Sequence, residues 1–224
     1  MGEFVYPRHS VECDLTWTAT PTSLYVGIDL GTTFTGVVYT CPPSRTIYTI
    51  CQWPGSDTDE AKVPTRLFYD NEKLVGWGFA EPGHDNKGSK DRGQGFSVVE
   101  RFKLAIDLAL GGIPDTARPT SSPVSRWYRD FLRCLYEHVS SLLQVLQPEE
   151  WSQEVEFLFS VPDLYGPHII AKFRDFIQSA GFDGCRHHMP IVSLTESQAA
   201  IVCASHSLSV FKVRQYPAGW GISS

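Results

Sequence analysis

The sequence predicts an α/β fold in which a mixed sheet is flanked by helices and carries a small inserted α+β subdomain. Three observations predict it. Leu24 to Ile28 and Phe34 to Thr40 are two apolar strand patterns separated only by a Gly-Thr-Thr turn. From Ser125 to Leu146 the apolar residues Trp127, Phe131, Leu135, Val139, Leu142 and Leu146 recur at helical spacing, the mark of a long core-facing helix. Val155 to Val161 is a continuous apolar and aromatic run that gives way to a second helical pattern, and strand followed by helix implies a layered sheet.

Taken in order, Met1 to Thr22 mixes Pro, Thr, Glu and His with few periodic apolar residues and reads as a disordered tail. The hairpin of Leu24–Ile28 and Phe34–Thr40 is extended by Thr46 to Cys51 after the Pro42-Pro43-Ser44 turn, which makes an antiparallel meander. Val63 to Tyr69 and Lys73 to Trp77 are two short strands around Asp70-Asn71-Glu72, within an inserted subdomain of about residues 56–124. Glu81 to Gly95 reads as a solvated loop. Val98, Val99, Phe102 and Ile106 then suggest a helix from about Ser97 that stops at Gly111-Gly112-Ile113-Pro114. After the long helix and the Val155 strand, Ile169, Phe173, Phe176, Ile177 and Ala180 mark a helix ending at Gly181. Ile191 to Leu194 is a further strand, and Glu196 opens an Ala-rich helix to about Ala204. Residues 206–224 show no periodicity and read as an irregular or truncated end, so the lobe spans 23–205.

Bulk properties exclude several function classes. The chain has 224 residues, 42% of them hydrophobic, and a net charge of −6, so attraction to nucleic-acid backbones or anionic membranes is not expected. No stretch approaches the roughly 20 apolar residues of a membrane span. Its 6 cysteines include no C-x-x-C pair, consistent with reduced thiols and a cytoplasmic setting.

Asp29-Leu30-Gly31-Thr32-Thr33 is the segment suited to chemistry. A strand that delivers an aspartate into Gly-Thr-Thr and returns at once can aim several backbone N–H groups at one point, a nest that suits phosphate oxygens. Gly31 permits close backbone approach, the Thr32 and Thr33 hydroxyls add donors, and Asp29 offers a carboxylate to hydrated Mg²⁺. An ordinary hairpin with a capped turn uses the same residues, and the short motif alone does not choose between them.

The order of further segments resembles one family. Val26-Gly27-Ile28-Asp29-Leu30-Gly31-Thr32-Thr33 resembles the first phosphate motif of the 70-kDa heat-shock chaperone family, within the actin, sugar-kinase and chaperone superfamily. Lys73-Leu74-Val75-Gly76 is similar to that family's short strand before its inserted helices. Glu100-Arg101-Phe102-Lys103-Leu104-Ala105-Ile106 is similar to the segment that carries its catalytic lysine. Phe159-Ser160-Val161-Pro162 resembles its Val-Pro strand end, and Leu194-Thr195-Glu196-Ser197-Gln198-Ala199-Ala200 its Asn-Glu-Pro-x-Ala-Ala segment. Trp53-Pro54-Gly55 and Val63-Pro64-Thr65 look more like the divergent chaperone-like branch. The resemblance covers about residues 24–204 and implies the N-terminal lobe of an actin-like (ribonuclease H-like) ATPase domain.

It also implies ATP and Mg²⁺ as ligands. Asp29 would hold Mg²⁺ through water, while Gly31, Thr32 and Thr33 would contact the β- and γ-phosphates. Lys103 would stabilise the γ-phosphate and the attacking water, and Glu196 would orient water or Mg²⁺. Read without the family, Lys103 is an ordinary solvated helix lysine and Glu196 a carboxylate favoured by a helix start.

Departures from the family shape the expectation. No second phosphate loop of Asp-x-Gly-Gly-Gly-Thr type occurs before Ser224, so one wall of the ATP pocket is missing and weak ATP binding or none, without hydrolysis, is expected of this chain alone. A complementary lobe, protein clients and ATP or ADP are the expected partners. Ile170 stands where typical members carry a coupling arginine, and Glu196-Ser197 replaces Glu-Pro. The alternatives are a non-enzymatic remnant acting as an interaction module and a sugar-kinase relative, the latter opposed by the Lys103 and Glu196 segments. Gly83 to Lys90 has P-loop glycine spacing in the wrong context, and Cys185, His187, His188 and Cys203 lack the spacing of a zinc site.

Overall fold

The computed structural model of the chain describes residues 11–12, 24–44, 46–83, 94–105, 123–185 and 187–199. Ten strands and three helices have their bounds within these residues: β1 Val11–Glu12, β2 Leu24–Leu30, β3 Phe34–Thr40, β4 Thr46–Thr49, β5 Val63–Pro64, β6 Arg66–Asp70, β7 Lys73–Trp77, β8 Phe96–Glu100, α1 Pro123–Leu146, α2 Pro148–Trp151, β9 Val155–Val161, α3 Pro167–Ser179 and β10 His188–Thr195. Among the described residues the main sheet has seven strands in the order β1-β4-β3-β2-β9-β10, with β5 added beside β3. The pairs β2–β3 and β3–β4 are antiparallel, while β2–β9 and β9–β10 are parallel.

Alternation builds this sheet. Leu24, Val26, Ile28 and Leu30 of β2 are at most 2% exposed, and Val155, Phe157 and Phe159 of β9 lie in the same core, whereas the residues between them are half-buried. A period of two puts each set on one face, and burying each large side chain contributes roughly 1.5–3 kcal/mol. The registers Leu24↔Val155↔His188 and Ile28↔Phe159↔Val192 align the three parallel strands and bring their C-terminal ends to one edge.

Helix α1 begins with Pro123, whose fixed φ suits a first turn. It buries Tyr128, Phe131, Leu132, Leu135, Val139 and Leu143 against the sheet and ends before Pro148, since the residue preceding a proline is driven out of the helical region. Helix α3 also starts on a proline, and it stops in a Schellman arrangement. Gly181 N–H donates to Gln178 O at 3.0 Å and Phe182 N–H to Ile177 O at 3.4 Å, with Gly181 at φ +105°. A side chain at Gly181 would be strained there and would press on the Tyr136 ring.

Two expectations are corrected. Residues 96–100 form a strand, not the start of a helix: β8 pairs antiparallel with β6, Arg66 opposite Glu100 through Asp70 opposite Phe96. The hairpin β6–β7 leaves one side of β6 open, and the β-branched run at Val98 and Val99 satisfies it. A short apolar run does not reveal this from its spacing. The chain then reverses at Arg101, φ +53°, before a helical turn at 102–105. Second, Val11 and Glu12 lie in a strand opposite Ile47 and Thr46 rather than in a featureless tail. The rest of the 1–22 tail, most of the Glu81–Gly95 loop and the 206–224 end lie outside the described residues.

The three-stranded sheet β7-β6-β8 falls inside the range read as an inserted subdomain. Leu67 and Tyr69 nevertheless share the main core, and Trp77 packs edge-on against Phe131 at 5.8 Å. Tyr69 Oη donates to Asp130 Oδ2 at 2.8 Å, tying β6 to α1. Among the described residues no helix is long and apolar enough to cross a membrane, and Cys41, Cys51, Cys134 and Cys185 are free thiols.

Two measurements check this packing. Phe131→Ala removes a fully buried ring between Phe102 and Trp77 and should cost about 3–5 kcal/mol of unfolding free energy in urea denaturation. Burial depresses the imidazole pKa of both His138 and His188 below the usual value, more than offsetting in His138 the raising effect of its bond to Gln52 O. A depressed folded-state pKa means that the unfolded chain binds protons first. Stability should therefore hold above pH 6.5 and fall as pH drops through the lowered folded values, and His188→Phe should flatten that slope.

Candidate functional site

The β2–β3 hairpin sets Asp29 opposite Gly36 and Leu30 opposite Thr35, leaving Gly31, Thr32 and Thr33 to make the turn. Gly31 is obligatory: a Cβ there would lie 2.2 Å from Phe34 O, so any side chain would force the turn open. Strand β5 clamps the rear of the turn. Val63 and Pro64 pair with Thr35 and Phe34, Thr65 N–H donates to Thr33 O at 2.8 Å, and the buried Thr35 and Thr65 hydroxyls bond to each other at 2.8 Å. The Thr33 side chain faces solvent and that of Thr32 is half-buried, so both hydroxyls lie within reach of a ligand.

The Asp29 carboxylate is about half exposed, and Lys62 Nζ donates to its Oδ2 at 2.8 Å. Lys62 directly precedes β5, and its stem crosses Gly36, where a Cβ would meet Lys62 Cε at 3.3 Å and Cγ at 3.4 Å. The carboxylate that the resemblance assigns to hydrated Mg²⁺ is thus held by a lysine of the chain.

Lys103 is not the solvated lysine that its local sequence suggests. Phe102 anchors its turn, packing on Tyr128 at 5.2 Å and Phe131 at 5.7 Å, and the Lys103 side chain is only 8% exposed. Its ammonium donates to Glu196 Oε1, 93 residues along the chain, and Tyr128 Oη donates to Lys103 O at 3.4 Å. The Glu196 carboxylate supplies the opposite charge that an ammonium buried at that depth requires.

Glu196 sits in the first turn after β10, and a capping box holds that turn. Thr195 N–H donates to Gln198 Oε1 at 3.0 Å, and Gln198 N–H donates to Thr195 Oγ1 at 3.3 Å. Ser197, which replaces the proline of the resembling family, donates from its hydroxyl to Asp163 Oδ1. Hydrogen bonds from Ser197, and then Thr195, hold the Asp163 carboxyl below the ordinary aspartate range. Asp163 follows the Val161-Pro162 strand end, so these bonds tie the end of β9 to the end of β10. Sequence reasoning missed Lys62, Asp163 and the capping box. The Thr-x-x-Gln spacing of 195–198 was a readable signal for the last, whereas nothing local pointed to Lys62.

The topology places these groups at one edge. From β2 the chain turns to β3 on one side, and from β9 it crosses through α3 to β10 on the other, so the connections diverge between β2 and β9. Ligands bind at the carboxyl ends of strands at such a switch point. Asp29, Asp163 and Glu196 stand at the C-terminal ends of β2, β9 and β10, whose outer axes are roughly 10 Å apart at ordinary strand spacing. Asp29 and the Lys103–Glu196 pair are not in direct contact. A separate cavity of about 780 Å³, lined among others by Tyr69, Ser97, Arg126 and Trp127, contains none of Asp29, Gly31, Thr32, Thr33, Lys103 and Glu196.

Only part of each weaker motif lies within the described residues. His188 is buried, its Nδ1 3.0 Å from Tyr136 Oη and its ring 4.6 Å from that of Trp151, while Cys185 is exposed. Among the described residues no group of three or more His, Cys, Asp or Glu is placed to hold a metal. Cys203 and residues 84–90 of the P-loop-like stretch lie outside the described residues, as does Ala200.

No protein-family model matches the sequence, and no characterised protein does. Among solved structures the chain is similar to MreB5 of Spiroplasma citri bound to ADP, with 12% identity over 77% of this chain and 38% of that one at a TM-score of 0.40. It is also similar to MreB 5 of Spiroplasma citri bound to AMPPNP, with 14% identity over 78% and 39% at a TM-score of 0.40. The chain thus spans under two-fifths of the length of either structure.

The Lys103–Glu196 pair yields an asymmetric prediction. Glu196→Ala leaves a buried ammonium unpaired and should cost about 2 kcal/mol or more, whereas Lys103→Met keeps the stem and removes the charge and should cost under about 1 kcal/mol. Urea denaturation followed by tryptophan fluorescence compares them; equal losses would show that solvent screens the pair.

Proposed function

We propose that this chain is one lobe of an actin-like ATP-binding core, of the kind carried by the 70-kDa heat-shock chaperone family, and that the Asp29–Thr33 turn binds nucleotide phosphates. The observation that carries this reading is the Lys103–Glu196 contact. Two segments that resemble the family's catalytic-lysine and acidic segments lie 93 residues apart, yet they meet in one ion pair at the strand ends of the sheet that also carries the Asp29 hairpin.

Each group has a physical role in that reading. The Gly31-Thr32-Thr33 turn offers backbone N–H groups and two hydroxyls to phosphate oxygens. Lys103 is already desolvated, so its positive charge acts with little reorganisation on a terminal phosphate. Glu196, half-exposed at the mouth of the pair, is positioned to orient a water once Lys103 turns to phosphate. Hydrolysis belongs to the reading only with a second lobe that closes the other side of the nucleotide.

A second reading is an interaction module without catalysis. Phe34 is 46% and Val38 36% exposed on the outer face of the hairpin, apolar area that a protein partner or complementary lobe would cover.

Isothermal titration of the chain with ATP separates the two. Binding is expected in the range of about 10 µM to 1 mM, weakened roughly tenfold in Lys103→Met, the equivalent of about 1.4 kcal/mol. Absence of binding at several millimolar ATP, with self-association in light scattering, would favour the interaction module.

A further inference from the structure

We propose that Lys62 is the resident cation of the phosphate turn: its ammonium takes the place at Asp29 that a hydrated divalent metal would otherwise hold, and the turn binds polyphosphate without Mg²⁺. The second half of this proposal rests on the phosphate reading above. The first half, that Lys62 excludes metal from Asp29, stands on geometry alone.

The residues present do not fit Mg²⁺ in this arrangement. Protein Mg²⁺ sites use one or two carboxylates together with substrate phosphates and keep several waters. Here the turn offers one carboxylate, and its charge is already neutralised by an ammonium at 2.8 Å. Among the described residues no further acidic or imidazole groups converge with Asp29 into a metal-binding set. A cation arriving through water at the other carboxylate oxygen would meet a spent negative charge and a nearby like charge.

Lys62 is also built into place. A solvent-exposed ion pair by itself contributes little and samples many rotamers. This lysine, however, emerges one residue before β5, whose backbone is fixed to the hairpin by the Val63↔Thr35 register and the Thr65-to-Thr33 bond. Its stem lies along Gly36, the residue directly opposite Asp29, and a Cβ there would come within 3.3–3.7 Å of three stem carbons. The missing side chain at Gly36 makes a track that leads the ammonium to the carboxylate. In that position the ammonium adds positive charge at the end of the strand that leads into Thr32 and Thr33, while staying on Asp29.

Two measurements on the full chain test the proposal. Electron paramagnetic resonance titration with Mn²⁺, read as relative affinity because one carboxylate holds the ion weakly, should show tighter binding in Lys62→Met than in the wild type. Lys62→Met combined with Asp29→Asn should lose that gain. Titration with ATP in EDTA and in Mg²⁺ should give wild-type affinities within about threefold of each other, whereas Lys62→Met should bind at least about tenfold more weakly in EDTA. Wild-type Mn²⁺ binding that Asp29→Asn weakens, Mn²⁺ binding in Lys62→Met no tighter than in the wild type, or a wild-type Mg²⁺ requirement of about tenfold or more would each overturn the proposal. If no form binds ATP but Lys62→Met shows the Asp29-dependent gain in Mn²⁺ binding, the phosphate reading falls and Lys62 stands as the counter-ion that keeps metal from Asp29.

Discussion

The parallel pairing of β2 with β9 is the constraint on which the rest depends. Nothing local joins a hairpin near the start of the chain to a strand that begins at Val155; the register Leu24↔Val155 through Ile28↔Phe159 does so, and it is held by apolar side chains alternating on one buried face. Once β9 lies beside β2, the α3 crossover carries β10 to its far side, and three strand ends share an edge. Parallel strands need apolar cover, and α1 and α3 bury Phe131, Leu135, Phe173 and Phe176 in the same core.

That edge collects charge in two different ways. At Lys103 the ammonium is buried and its partner carboxylate is half-exposed, so the pair is asymmetric: the lysine depends on the acid more than the acid depends on the lysine. At Asp29 both partners are about half-exposed, and Coulomb attraction alone would be weak; the backbone clamp of β5 and the bare surface of Gly36 supply the order. Two lysines, one deep and one shallow, thus offset Asp29 and Glu196, two of the three carboxylates that the strand ends carry.

Legibility varied with the range of the interaction responsible. The meander, α1, β9 and α3 were readable because period and punctuation are local: alternation for strands, three-to-four spacing for helices, Pro123 and Pro167 at helix starts and Gly181 past a helix end. Residues 96–100 were misread because Val98, Val99 and Phe102 satisfy a helical spacing, while the open side of β6 selects a strand. The Gly31 turn was recognisable from residue type, since a two-strand return around Gly-Thr-Thr has few geometries. The partners of its carboxylate and of Lys103 were not, because each ion pair spans distant segments.

Sequence by itself determined the mixed α/β class, the order of most elements and the candidate identities of Asp29, Gly31, Thr32, Thr33, Lys103 and Glu196, all properties written in short-range pattern. Tertiary structure decided which of those groups meet. It buried Lys103 against Glu196, seated Lys62 on Asp29 across Gly36, and fastened the ends of β9 and β10 through Asp163 and Ser197. The physical reason is that charge–charge and hydrogen-bond partners are chosen by strand register and packing, and register couples residues across the whole chain, where no local window can read it.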